Sequence, residues 1–168
     1  MDRQPTLLGS CARAATAAEA RFRINAPAFT QRCSRVIALD EQAADVVREL
    51  AERTWHGGHF LVFESEVPGD ALLRLAAGGG QPAATALLSE ELDGADTVVM
   101  VASAAGSPAA ASLIGDAAAA RGIMTAALVL AGAAPVDGAV AALRPNAMVL
   151  VVLASIADIL EVLSALRI

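Results

Sequence analysis

Lysine is missing from all 168 residues: the 12 basic side chains are arginines. A phosphate-loop ATPase of the G-x-x-x-x-G-K-S/T type needs a lysine to reach the β- and γ-phosphates, so that class is excluded. Pyridoxal-phosphate chemistry and lysine nucleophiles or bases are excluded with it. Tyrosine is also absent, and there are only four Phe and one Trp in a chain that is 56% hydrophobic. Much of that hydrophobicity is alanine, so cohesion of a core must come largely from close packing of small side chains. The two cysteines, Cys11 and Cys33, make neither a disulfide framework nor a metal-ligand spacing, and a reducing cytoplasm is the expected setting.

Charge is sparse and uneven. Residues 1–35 hold Arg3, Arg13, Arg21, Arg23, Arg32 and Arg35 against Asp2 and Glu19, whereas the remainder holds six arginines against sixteen acids. The acidic body argues against a broad nucleic-acid surface, which needs clustered positive charge. The basic, alanine-rich start lacks a continuous apolar segment and reads as an arm over 1–34 rather than a processed leader. The rest, 35–168, reads as one domain. Ala147–Leu166 approaches the length of a membrane span. Asp158 and Glu161 interrupt it, and Ser155 reads as a helix cap inside it. A strand followed by a helix is the expectation there.

Five apolar runs rich in β-branched residues alternate with helical patterns: Arg35–Leu39, His59–Glu64, Thr97–Ala102, Met124–Leu130 and Ala147–Leu153. Continuous rather than alternating runs indicate strands buried on both faces. Helices are expected over Glu41–Arg53 behind an Asp40 cap, from Asp70 to Ala77, and from Pro82 to about Leu92. Others run from Ser107-Pro108 to Arg121, from Asp137 to Leu143, and onward from Ser155. Ser155 and Asp158 resemble a capping box. The strand–helix repetition predicts a Rossmann-like α/β fold. It is expected to be a three-layer αβα sandwich on a five-stranded parallel sheet of order 2-1-3-4-5. Ligands of such sheets bind where the winding reverses, beyond the carboxyl ends of the strands. Here that crevice falls between the loops after Leu39 and after Ala102.

The loop after Ala102 reads Ser103-Ala104-Ala105-Gly106-Ser107 and opens a helix, so it is the candidate anion-binding turn. Opposite stand Asp40, Glu41 and Gln42, with no glycine to let a phosphate approach the backbone. Capping explains these acids more simply than a magnesium site. Gly79, Gly80 and Gln81 form a third candidate loop, with helix termination as the plainer reading. Trp55-His56-Gly57-Gly58-His59 places both histidines in a turn that lacks a cysteine to complete a zinc set. No G-x-S-x-G elbow occurs. No catalytic or metal-binding residue is assigned.

With the strands placed, the segments Gly94–Val99, Ala110–Asp116 and Arg121–Val129 resemble the nucleotide domain of the bacterial tubulin-like division GTPases, the FtsZ family. Those proteins read GADMVF, a glycine-rich turn, AAPVIAEIA and GILTVAVVT. The resemblance is collinear over about residues 35–165, through HFLVFESEVPGDALL and AVAALRPNAMVLVVLASIADILEVL. It also shows departures. The family's GGGGGNAV loop corresponds to Asp40–Asp45, its GGGTGTG to Ala104–Pro108 and its GGNP to Gly79–Pro82. The chain ends before the acidic loop that completes hydrolysis on a neighbouring subunit. The resemblance therefore implies a domain without intact phosphate loops, a non-hydrolysing binding or interaction module. No cofactor is expected, with GTP, GDP or a phosphorylated small molecule the ligand class left open. Self-association or a protein partner is the expected form of contact. Ser103, Ser107, Pro108 and Gly122 also resemble the serine-rich turn of sugar isomerase domains. That alternative implies a phosphosugar-binding enzyme or sensor.

Overall fold

Asp40 and Ser107 each end a buried strand's loop and accept a hydrogen bond from the backbone three residues on, and these two caps start the helices that frame the sheet's centre. The computed structural model describes residues 33–76, 84–166 and 168. Its elements in chain order are β1 (Ser34–Ala38), α1 (Glu41–Ala51), β2 (Gly58–Val67), β3 (Asp70–Leu75), β4 (Thr85–Leu87), α2 (Leu88–Leu92), β5 (Thr97–Ala102), α3 (Pro108–Ala119), β6 (Met124–Leu130), α4 (Asp137–Leu143), a 3-10 turn (Arg144–Asn146), β7 (Val149–Leu153) and α5 (Ile156–Ala165).

The protein is α/β, but the sheet is mixed and seven-stranded, in the order β4-β3-β2-β1-β5-β6-β7. This corrects the five-stranded parallel sheet expected from the sequence. The strands β2, β1, β5, β6 and β7 are mutually parallel. Beyond β2 the sheet continues through β3 and β4, both antiparallel to their neighbours. The expected helix from Asp70 is therefore strand β3. Pro68 and Gly69 lie between the paired residues Val67 and Asp70, and Gly69 has φ +79°. A proline followed by a left-handed glycine makes a two-residue reversal, which folds the chain back as a hairpin before a helix can start. In β3 Ala71 and Leu73 are buried and alternate with more accessible neighbours, the period of a strand.

The helix expected from Pro82 begins only at Leu88, because Thr85–Leu87 pairs with β3; Pro82 itself lies outside the described residues. Asp137 is the first residue of α4 rather than its cap, a position held by Val136. Elsewhere the local signals and the structure agree. Thr97–Ala102 and Met124–Leu130 are strands to the residue, Ser155 and Asp158 close a capping box, and Gly122 has φ +68° after α3. The apolar stretch from Ala147 is strand then helix, and no helix among the described residues is long and apolar enough to cross a membrane.

Alternation along β1 sorts the core into two layers. Ile37 and Leu39 pack with Leu88 and Leu92 of α2, Ile114 of α3 and Leu143 of α4. Val36 and Ala38 face the other way, onto Val47 and Leu50 of α1 and Ile159 and Leu163 of α5. Helices thus cover both faces, which is why the central strands are mostly continuous apolar runs. Small residues carry the close approach: Ala43, Ala44, Ala110, Ala111 and Ala118 are all completely buried.

Candidate functional site

The two loops singled out in the sequence meet. β1 and β5 are neighbours in register, with Ala38 opposite Val101, and the Leu39 N–H donates to the Val101 carbonyl at 2.9 Å. Their carboxyl ends therefore share one rim. Asp40 leaves β1 in an extended conformation as the cap of α1, and its Oδ1 accepts from the Ala43 N–H at 3.0 Å. The same carboxylate reaches across the rim. Its Oδ2 accepts from the Ser103 N–H and its Oδ1 from the Ser103 hydroxyl, each at 2.8 Å.

Two donors of the candidate turn are satisfied from within. Ser103, almost wholly buried, accepts from the Ala105 N–H through its Oγ and from the Gly106 N–H through its carbonyl, both at 3.1 Å. Ser107 Oγ accepts from the Ala110 N–H at 3.3 Å as the cap of α3. Ala104 is half-buried and Ala105 exposed on the turn's outer side. Gly106 is required by crowding: a Cβ there would lie 2.8 Å from the Ala102 methyl and 3.3 Å from the Ser103 carbonyl. At this rim the negative charge that the backbone donors and the dipole of α1 attract is the protein's own carboxylate.

The remaining predicted residues stand at the margin. Glu41 is exposed and pairs with Arg48, at 2.9 Å, rather than facing Ser103. Gln42 is exposed, and its Nε2 lies 3.9 Å from where a Cβ on Gly132 would be. That brings the loop after β6 to the same rim, a neighbour that sequence reasoning did not assign. Gly79, Gly80 and Gln81 lie outside the described residues.

The histidines do not converge on a metal. His59 Nδ1 meets Glu91 Oε2 at 3.0 Å, His56 is exposed, and Trp55 Nε1 donates to the Leu50 carbonyl at 2.7 Å to close the turn into β2. No group of three or more His, Cys, Asp or Glu among the described residues could hold a metal ion.

Two polar clusters went unread in the sequence. Arg35, about nine-tenths buried, places its Nε 2.9 Å from Glu91 Oε2 and 2.6 Å from the Glu91 carbonyl, with His59 on the same carboxylate. The only sequence signal was a charge inside an otherwise apolar run. The second surrounds Asp70 in a cleft of about 440 Å³ shared with Ser89, Asp116 and Arg121. Burial pushes the Asp70 carboxyl up. Hydrogen bonds from the Ser89 hydroxyl (2.5 Å), the Ala71 N–H (2.8 Å) and the Ser89 N–H (3.2 Å), with the charge of Arg121, outweigh it and hold the group below its ordinary value. Asp70 is a capping residue after all, but for α2, reached across the fold instead of along the chain.

Compared with known proteins, the chain matches no family model, no curated protein and no solved structure.

Proposed function

We propose that this domain is a binding or interaction module that hydrolyses no nucleotide, a degenerate relative of the tubulin-like GTPase domain. One observation carries the reading: Asp40 extends its carboxylate over the rim between β1 and β5 and occupies the donors of Ser103. A phosphate at that rim meets a fixed like charge. At 4 Å the repulsion is about 1 kcal/mol per unit charge in a water-like medium and about 4 kcal/mol near a protein surface. A helix N-terminus returns only about 0.3–1 kcal/mol at an exposed site. Repulsion wins, and the Ser103, Ala105 and Gly106 donors that would offset it are already engaged.

The reading is supported further by the single glycine of the turn, Gly106, where close packing against Ala102 rather than room for a ligand explains the residue. Opposite it, Glu41 pairs with Arg48 and Asp40 with Ser103, so both acids of this loop have partners within the protein.

Titration of the full chain with labelled GTP and GDP, magnesium present, tests this. No saturable binding and no phosphate release are expected. Micromolar binding followed by phosphate release overturns the proposal. A thermal-shift series with phosphorylated sugars runs alongside, since a ligand at a hundred times its Kd adds about 2.7 kcal/mol to apparent stability. A shift there that Ser107→Arg abolishes would establish the sugar-isomerase-like alternative instead.

A further inference from the structure

The sheet has two very different edges. On one side it ends at β4, three residues long. On the other it ends at β7, whose five residues Val149-Leu150-Val151-Val152-Leu153 pair with β6 and, among the described strands, with no other. Native edges are blunted by charge, proline, bulges or brevity. β7 has no charged residue and no proline, and its register with β6 runs unbroken from Val149 to Leu153. It is also apolar on the outside. Val149 is 53% exposed and Val152 46%, and Met148 just before them is 75% exposed.

Beside this edge runs a groove of about 560 Å³. Val152 and Leu153 line it on the strand side, and Asp158, Glu161, Val162 and Ala165 line it on α5. Every charge lining it is negative. Asp158 is held in the capping box with Ser155, while Glu161 is exposed. Main-chain donors and acceptors, an apolar strip and a carboxylate rim are therefore presented together.

We propose that the β7 edge receives an extended peptide segment carrying basic side chains, which joins the sheet as an additional strand. Strand addition draws affinity from main-chain hydrogen bonds and specificity from what flanks them, and here the flank selects cations. A second copy of the domain fits less well. Antiparallel twofold pairing of β7 with β7 keeps α5 on the same face of the continued sheet in both copies. It turns Asp158 and Glu161 toward their own counterparts, in a chain of net charge −6. The proposal rests on the interaction-module reading above and names the class of partner.

Fluorescence anisotropy on the full chain tests it with a labelled seven-residue peptide alternating arginine and valine. Two control peptides replace arginine by glutamate, or every valine by proline, which keeps the charge but fixes φ at each of those positions, removes their donors and blocks regular strand pairing. The arginine–valine peptide is expected to bind at least tenfold more tightly than either control. Glu161→Arg, an exposed helix substitution, should weaken it about two- to fivefold, the scale of exposed ion pairs. Val152→Lys should abolish binding, with circular dichroism unchanged. Equal binding of the proline peptide reduces the effect to bulk charge and overturns the proposal. Absence of binding overturns it too, as does a dimer by sedimentation that Val152→Lys dissociates. GTP hydrolysis would defeat the module reading itself, whereas a silent peptide with inert GTP defeats the edge assignment alone.

Discussion

Ser103 gives both of its donors to Asp40, a residue 63 positions earlier: the N–H goes to one carboxylate oxygen and the hydroxyl to the other, each at 2.8 Å. This joint locks the loop after β1 to the loop after β5 and caps α1 from the same side chain.

Its removal should be costly. A helix cap contributes about 1 kcal/mol, and hydrogen bonds to a charged group about 1.5–3 kcal/mol. Asp40→Ala should therefore destabilise the domain by about 3 kcal/mol, and Ser103→Ala by about 2 kcal/mol, measured by urea unfolding. Because the two residues share bonds, the double variant should cost less than the sum of the single ones. Strict additivity would mean that the joint carries no coupling.

Gly115 faces Asn146 in the 3-10 turn, and a Cβ on it would lie 2.6 Å from the Asn146 Cβ. Alanine improves helix propensity by about 1 kcal/mol, yet it forces backbone apart where neither partner is a flexible side-chain end. Gly115→Ala is expected to lose about 1–3 kcal/mol. Adding Asn146→Gly should restore part of that loss. A stabilised Gly115→Ala would show that the 3-10 turn yields freely.

Asp70 ties the acid side of the stability profile to the β2–β3 hairpin. Its folded value lies below the ordinary 3.8, so the unfolded chain takes up the proton first as pH falls. The stabilisation is complete above the unfolded value and is lost as pH drops through the folded one. The stability gap between the natural chain and Asp70→Asn should stay constant from neutral pH to about pH 5 and close below about pH 4. Denaturant melts at stepped pH measure it. A gap that persists unchanged at the acid end would remove the carboxylate as its source.

Ser34 and Thr97 are partners in the β1–β5 register, both buried, and among the described residues neither hydroxyl has a hydrogen-bond partner. A buried hydroxyl without a partner costs about 1–3 kcal/mol. Thr97→Val keeps the shape and β-branching, and is expected to raise stability by about 1 kcal/mol. A loss of similar size would show that the hydroxyl is satisfied.

How much of this could be read from residue order depended on the range of the interaction. Continuous apolar runs marked β5 and β6 because burial on both faces leaves no polar alternation to confuse them. Ser107-Pro108 and Ser155 with Asp158 marked helix starts because a cap is closed within three residues. Asp70 shows the limit. An acid ahead of an apolar run has the chemistry of a cap whether its helix follows at once or is reached 19 residues on, at Ser89. β4, at three residues, is too short to carry a period.

The same division applies to the candidate site. Residue order alone determined that strands ending at Leu39 and Ala102 are buried, that the loops after them carry Asp40 and Ser103, and that no lysine serves a phosphate. Only the folded chain decided that Asp40 closes on Ser103, that the sheet grows by a hairpin beyond β2, and that β7 is left as an open apolar edge. Those outcomes depend on contacts between residues far apart in sequence, whose geometry exists once the sheet order places them side by side.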